Sequence, residues 1–138
     1  MKHFLLFAVF FHSILYAQIG FKTDSLTYYS KLANENIKYN NYKKALSYTQ
    51  KSINYCKKNK YIGAQALQTY KLGKIYFDLN FHNDAIESFG KSIVLFNSIS
   101  KKPNNNVAKA YYYISLSCAE KKKYILAESA ILKAEKKK

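Results

Sequence analysis

Residues 72–92, with the sequence LGKIYFDLNFHNDAIESFGKS, decide the fold of this chain. The first part of the stretch carries Gly73 among apolar residues, Asn80 supplies a tight turn, and the second part carries Ala85 and Ser92 at helical spacing. Small residues at facing positions let two helices approach closely, and the larger residues beside them fill the remaining space. A glycine inside a helix costs about 1 kcal/mol relative to alanine, which close packing would offset. The stretch therefore predicts two antiparallel helices joined by a short turn.

The same pattern occurs three times along the chain. Its turn-proximal alanines are Ala45, Ala85 and Ala127, at separations of 40 and 42 residues. Thirteen residues before each alanine there is a large residue, namely Leu32, Leu72 and Ile114, and the next residue is small, namely Ala33, Gly73 and Ser115. Seven residues after each alanine there is a second small residue, namely Ser52, Ser92 and Ala134. This register predicts three antiparallel pairs, with helices over 25–39, 42–57, 61–79, 82–99, 106–121 and 124–136. An ordinary six-helix bundle without stacked repeats remains the alternative.

Local signals support these boundaries. Asp24 and Asn41 are residue types favoured at helix N-caps, and Asn40 and Asn80 suit tight turns within a pair. Pro103 marks the longest break between helices.

From about Ser25 to Lys138 the register resembles the tetratricopeptide repeat family, with its Leu-Gly pair, Tyr-x-x-Ala turn and second small residue. The resemblance implies an all-α domain over 24–138, with three antiparallel helix pairs stacked as a short right-handed α-solenoid. The repeats would span about 25–58, 61–99 and 106–138. The period exceeds the family's usual length of about 34 residues, as in its sensory and scaffold members. Five positions depart from the family pattern: Asn36, Thr49, His82, Cys118 and Ile131.

The N-terminal segment has the form of a secretory signal peptide. Lys2 precedes an apolar run over 4–15, and we expect cleavage after Ala17. The run is shorter than the roughly 20 residues that a spanning helix needs. Residues 1–17 therefore predict an exported, periplasmic or secreted protein, with an uncleaved anchor or a buried first helix as alternatives.

The chain is strongly basic, with a net charge of +15. Loss of the signal peptide removes Lys2 and no acid, which leaves +14. All the basic residues are lysines, whereas phosphate recognition favours arginine. The lysine runs fall at predicted helix ends and loops, and the accompanying Asn, Ile and Tyr are typical of an AT-rich genome. We therefore expect neither nucleic acid nor a membrane surface as partner, although electrostatic binding to an anionic polymer or membrane remains a weaker hypothesis.

Nothing in the sequence indicates an enzyme. The chain contains no Gly-rich phosphate loop, no His-Glu-x-x-His motif and no cluster of acids. His82 is the one histidine outside the signal segment, and it fills a turn position where packing is expected. Cys56 and Cys118 are too few for a zinc site and are interpreted as packing residues, with a single bridge between them as the alternative. We expect no catalytic residues, metal or cofactor.

The family resemblance implies a concave groove, lined by the first helix of each pair, that binds a peptide or a partner helix. Tyrosines beside lysines suit a segment with acidic character, although Tyr70 and Tyr112 could instead cover the core. The family's clamp for a C-terminal carboxylate is not supported, because only two of its five positions match; Ser30, Lys71 and Tyr113 depart from it. The nine predicted groove residues are Asn34, Ile37, Lys38, Tyr70, Lys74, Phe77, Lys109, Tyr112 and Leu116.

No polar capping helix follows the third pair in this sequence. The open face predicts docking onto a partner, with self-association through the uncapped C-terminal repeat as one form of it. The alternative is that the chain is the N-terminal sensor part of a larger signalling protein carrying a kinase or helix-turn-helix output domain.

Overall fold

The computed structural model describes residues 25–137, and all regular structure in this range is α-helical. The predicted signal peptide over 1–17 and the predicted N-cap Asp24 lie outside these residues. From the end of the first helix onward, each boundary falls within one residue of its predicted position. No helix in the described part is long and apolar enough to cross a membrane. The six helices are α1 (25–38), α2 (Tyr42–Lys58), α3 (Ile62–Asp78), α4 (His82–Ile99), α5 (Asn105–Glu120) and α6 (Tyr124–Glu135).

Helices that follow one another in sequence pack against one another, from α2 through α6. In addition, α3 touches α5, so the first helices of successive pairs are neighbours. On its other side α3 is joined to α1, because Gln68 Nε2 donates a hydrogen bond to Ser30 Oγ at 3.0 Å. The helices α1, α3 and α5 thus lie side by side. This arrangement is all-α and is compatible with a helical repeat.

The small residues of the repeated register are buried. They are more deeply buried than the large residues next to them, since Leu32, Leu72 and Ile114 are only partly buried. Their burial agrees with the predicted role of small residues between packed helices. The six buried small residues are Ala33, Gly73, Ser115, Ser52, Ser92 and Ala134.

Gly73 shows most directly why a small residue is needed. The ring of Phe89 on α4 packs against α3 at this position, and a Cβ added to Gly73 would lie 2.9 Å from two of its ring carbons. Phe89 is fully buried and belongs to a core cluster built from α3, α4 and α5. The close approach of α3 to α4 therefore depends on the absence of a side chain at residue 73.

Four of the five helix connections use one turn geometry. Each has a residue in the left-handed region, with φ between 56° and 61°. The amide of that residue and the amide of the next residue donate hydrogen bonds to carbonyls of the preceding helix, as in a Schellman motif. The α2–α3 connection is as short as the turns within pairs. The 40-residue spacing between the first two repeats therefore comes from long helices and not from a long loop. The left-handed residues are Asn40, Lys60, Asn80 and Lys122.

The α4–α5 connection is the longer exception and contains Pro103, as predicted. Asn104 caps α5, since its Oδ1 accepts a hydrogen bond of 2.8 Å from the amide of Asn106. The amide of Asn104 also donates to the carbonyl of Lys137 at 3.1 Å, which ties the end of α6 to the start of α5. Asn41 is the N-cap residue of α2, as predicted, but its side chain makes no capping hydrogen bond.

Lys60 and Lys122 occupy backbone conformations that cost energy for residues with a Cβ. We expect Lys60→Gly and Lys122→Gly each to raise the free energy of unfolding by about 0.5–1 kcal/mol in urea denaturation. Asn80→Gly is the matched control, and its gain should be smaller because asparagine tolerates this conformation. Equal gains at all three positions would contradict this explanation.

Candidate functional site

Two lysines of α3 link this helix to both of its neighbours. Lys71 Nζ donates a hydrogen bond to Asn34 Oδ1 on α1 at 3.2 Å. Lys74 Nζ lies 4.5 Å from the ring centroid of Tyr113 on α5, within the range of a cation–π contact. Lysines three residues apart on a helix share one face. We call the surface formed by Asn34, Lys71, Lys74 and Tyr113 the first-helix face.

The two lysines differ in their electrostatic surroundings. Lys74 forms an ion pair with Asp78 at 3.2 Å. Burial opposes its charge, but hydrogen bonding and attraction to Asp78 and Tyr113 outweigh burial and raise its pKa. Lys71 is partly buried, and burial lowers its pKa. Its described partner is a neutral amide, and it takes part in none of the ion pairs found between residues 25 and 137.

Tyr113 lies at the centre of an aromatic cluster between α3, α4 and α5. Its ring stacks on that of Phe89, with centroids 5.3 Å apart and planes at 10°. Phe77 meets Tyr113 edge-on at 5.3 Å, and Tyr70 does so at 6.4 Å. Burial, together with the neighbouring Tyr113, raises the pKa of Tyr70 to about 12. Tyr70 and Phe77 therefore contribute to packing between helices, through their contacts with Tyr113.

Tyr112, unlike Tyr70, is open to solvent, with 47% of its surface exposed. Its ring contacts that of Tyr113 at 5.6 Å. Lys109 and Leu116 lie three residues before and four residues after it on α5, and so share its side of the helix. Lys109 is exposed and Leu116 is partly buried.

The predicted residues of α1 are less closely connected. Asn34 is held by Lys71, whereas Lys38 Nζ lies over the ring of its neighbour Tyr39, 5.8 Å from the centroid. Ile37 is partly buried. The structure therefore assembles Asn34, Tyr70, Lys74, Phe77 and Tyr112 around two residues outside the predicted set.

Those two residues are Lys71 and Tyr113. They occupy equivalent positions, each directly before the large residue of the repeat, Leu72 or Ile114. Sequence reasoning weighed both only as departures from the carboxylate clamp. Their shared register was the signal that could have placed them on one face.

The opposite side of α3 forms the floor of a cleft of about 540 Å³ between α2 and α4, which the sequence did not predict. A Cβ at Gly90 on its α4 wall would meet no atom within 4 Å, so the cleft is open at that point. Its lining mixes apolar side chains with lysines and glutamines: Gln50, Ile53, Lys57, Gln65, Thr69, Leu72, Glu87, Gly90, Lys91, Val94 and Leu95.

His82, Cys56 and Cys118 contribute to packing. The His82 ring meets that of Phe77 at 5.8 Å in an edge-to-face arrangement. Cys56 and Cys118 are buried and free, and burial raises the pKa of the Cys56 thiol. Within the described residues, no three His, Cys, Asp or Glu side chains are grouped so that they could hold a metal ion.

No protein-family model matches the sequence, and a search of the curated proteins finds no match.

Proposed function

We propose that this chain is an exported interaction module of the tetratricopeptide type that binds an acidic peptide segment or partner helix on the first-helix face. The threefold register and the packing of consecutive helices support this assignment. In a right-handed solenoid of three pairs, the row of α1, α3 and α5 would form the concave side. Export would follow from the predicted signal peptide over 1–17.

The proposal rests mainly on Lys71, a partly buried lysine with no acid partner among the described ion pairs. Removing a cation from water is unfavourable unless an anion compensates, and a neutral amide compensates only in part. Lys71 is partly buried, and its described partner is the neutral amide of Asn34, so its charge is compensated only in part. A carboxylate of a bound peptide would supply the missing charge, and Asn34 already holds the lysine in place.

The surroundings of Lys71 suit a side chain of mixed character. Tyr113 and Tyr112 provide aromatic surface, which contributes contact area at low entropic cost. Lys109 adds a second positive charge on α5. These features together favour a segment in which acidic residues alternate with apolar ones.

The proposal is tested by selecting peptides from a random display library on the chain from Gln18 onward and measuring their affinity by fluorescence anisotropy. We expect the selected peptides to be rich in Asp and Glu. Lys71→Met keeps most of the apolar stem but removes the charge, and should weaken binding about 10- to 100-fold, because a charged hydrogen bond contributes about 1.5–3 kcal/mol.

Lys43→Met is the matched control, since Lys43 is an exposed lysine at the start of α2. It removes the same charge and should change the affinity by less than about threefold, because exposed charges contribute little. Peptides that bind both variants equally, or a library that yields no binder, would show that the first-helix face is not the site.

A further inference from the structure

The outward side of α6 carries apolar side chains that nothing in the described chain covers. Ile125 is 84% exposed, Leu126 is 55% exposed and Leu132 is 53% exposed. The core side of the same helix is formed by Ala130 and Ala134, which are buried. The helix is therefore apolar on two sides, and only one of them packs against α5.

The register shows that this feature is specific to α6. The residues equivalent to Ile125, Leu126 and Leu132 are polar or glycine in the other two second helices: Lys43, Lys44 and Gln50 in α2, and Asn83, Asp84 and Gly90 in α4. Asn83 and Asp84 stay exposed although another helix pair packs after α4. A further repeat stacked in the same way would leave Ile125 and Leu126 exposed. Leu132 would lie beside an open cleft like the one that Gln50 and Gly90 line between α2 and α4. These side chains therefore need a cover of another kind.

The charges on this side of α6 have one sign. A helix turns by about 100° per residue, which places Ile125, Leu126, Leu132, Lys133 and Lys136 within about 60° of Ser129. By the same spacing, Glu128 and Glu135 lie about 100° and 120° away from Ser129. We call this surface, centred on Ser129, the α6 outer face. It combines three large apolar side chains with two lysines and contains no acid.

We infer that the α6 outer face docks on an anionic lipid surface, with α6 lying in the plane of the interface. Protruding apolar side chains beside lysines are the groups that interfacial helices set into lipid and against its headgroups, and the other apolar side of α6 is already packed against α5. Each lysine near an anionic surface strengthens attachment, and the three exposed lysines before α6, Lys121 to Lys123, add to the attraction.

A second copy of the chain is a poorer cover. Self-association through this face would bring Lys133 and Lys136 of two strongly basic molecules together, whereas anionic lipid neutralises them. The expectation from sequence that a membrane surface is not a partner considered the lysines alone. The exposure of Ile125 and Leu132 beside them adds the apolar contact that attachment requires.

The test is sedimentation of the chain from Gln18 onward with vesicles. This form contains every described helix and lacks the apolar run over 4–15, which would itself enter lipid. We expect binding to equimolar phosphatidylglycerol and phosphatidylcholine and little binding to phosphatidylcholine alone. Ile125→Asn with Leu132→Gln, which installs the α4 and α2 residues, should weaken binding at least about tenfold. Lys133→Gln should weaken it about fivefold.

Val94→Asn with Ile99→Asn is the matched control, because both side chains are large, apolar and exposed but belong to α4 and not to α6. This variant should bind vesicles like the wild type, and unchanged circular dichroism melting should show that each variant is folded. The inference would be overturned if the wild type did not bind anionic vesicles, or if the α6 variant bound them as well as the wild type does. It would also be overturned if the wild type were a dimer in sedimentation equilibrium and the α6 variant lost only that dimer, without losing vesicle binding. None of these variants alters Lys71, so peptide binding on the first-helix face is tested separately.

Discussion

Phe89→Ala is expected to lower the free energy of unfolding by about 3–5 kcal/mol, the usual range for removing a buried aromatic ring. Phe89 is fully buried between the backbone of Gly73 and the stacked ring of Tyr113. Loss of its ring would leave a cavity where α3, α4 and α5 meet, and the rigid helices around it could collapse only in part. Urea denaturation followed by far-ultraviolet circular dichroism measures the loss.

Phe81→Ala is the matched control for this prediction. Phe81 is in the turn between α3 and α4, more than half exposed, and its ring meets that of Tyr76 at 6.5 Å. Its removal should cost less than about 1 kcal/mol. If Phe89→Ala abolishes folding, Phe89→Leu keeps the position apolar and should show an intermediate loss. Equal losses for Phe81→Ala and Phe89→Ala would mean that the ring of Phe89 is not the centre of the core.

The helices and turns of this fold were predictable because their signals are local. The spacing of small and large residues identifies the buried side of each helix, and the buried positions Ala33, Gly73 and Ser115 agree with it. Asn40 and Asn80 marked two of the left-handed turns. Lys60 and Lys122 occupy the same conformation without a sequence signal, because lysine has no special preference for it.

The candidate site was less predictable because its contacts join different helices. Helical spacing indicates which residues of α3 share a face, but not which residues of α1 and α5 they meet. The bond from Lys71 to Asn34 and the contact of Lys74 with Tyr113 depend on how far the helices are displaced along their axes. If α3 were shifted along its axis by one residue relative to α1 and α5, Lys71 and Lys74 would meet different side chains on those helices. The packing role of Tyr70 follows from the same displacement, which brings its ring 5.4 Å from that of Phe89.

Gly73→Ala is expected to lower the free energy of unfolding by about 1–2 kcal/mol, although alanine is the better helix former. The added Cβ would lie 2.9 Å from ring carbons of Phe89, closer than carbon atoms normally approach. The ring has little room to retreat, because Tyr113 stacks on it. Either α4 moves away from α3 or the ring leaves its preferred orientation, and both changes weaken the contact with Tyr113.

Gly90→Ala is expected to have the opposite effect on the free energy of unfolding. Gly90 lies inside α4, where a Cβ would meet no atom within 4 Å. Without a steric cost, the higher helix propensity of alanine should raise the free energy of unfolding by about 0.5–1 kcal/mol. The same substitution should therefore change sign between α3 and α4. Combining Gly73→Ala with Phe89→Leu should cost less than the sum of the two single losses, since the smaller side chain leaves room for the new methyl group. Additive losses, or stabilisation at both glycines, would show that Gly73 is not retained to accommodate Phe89.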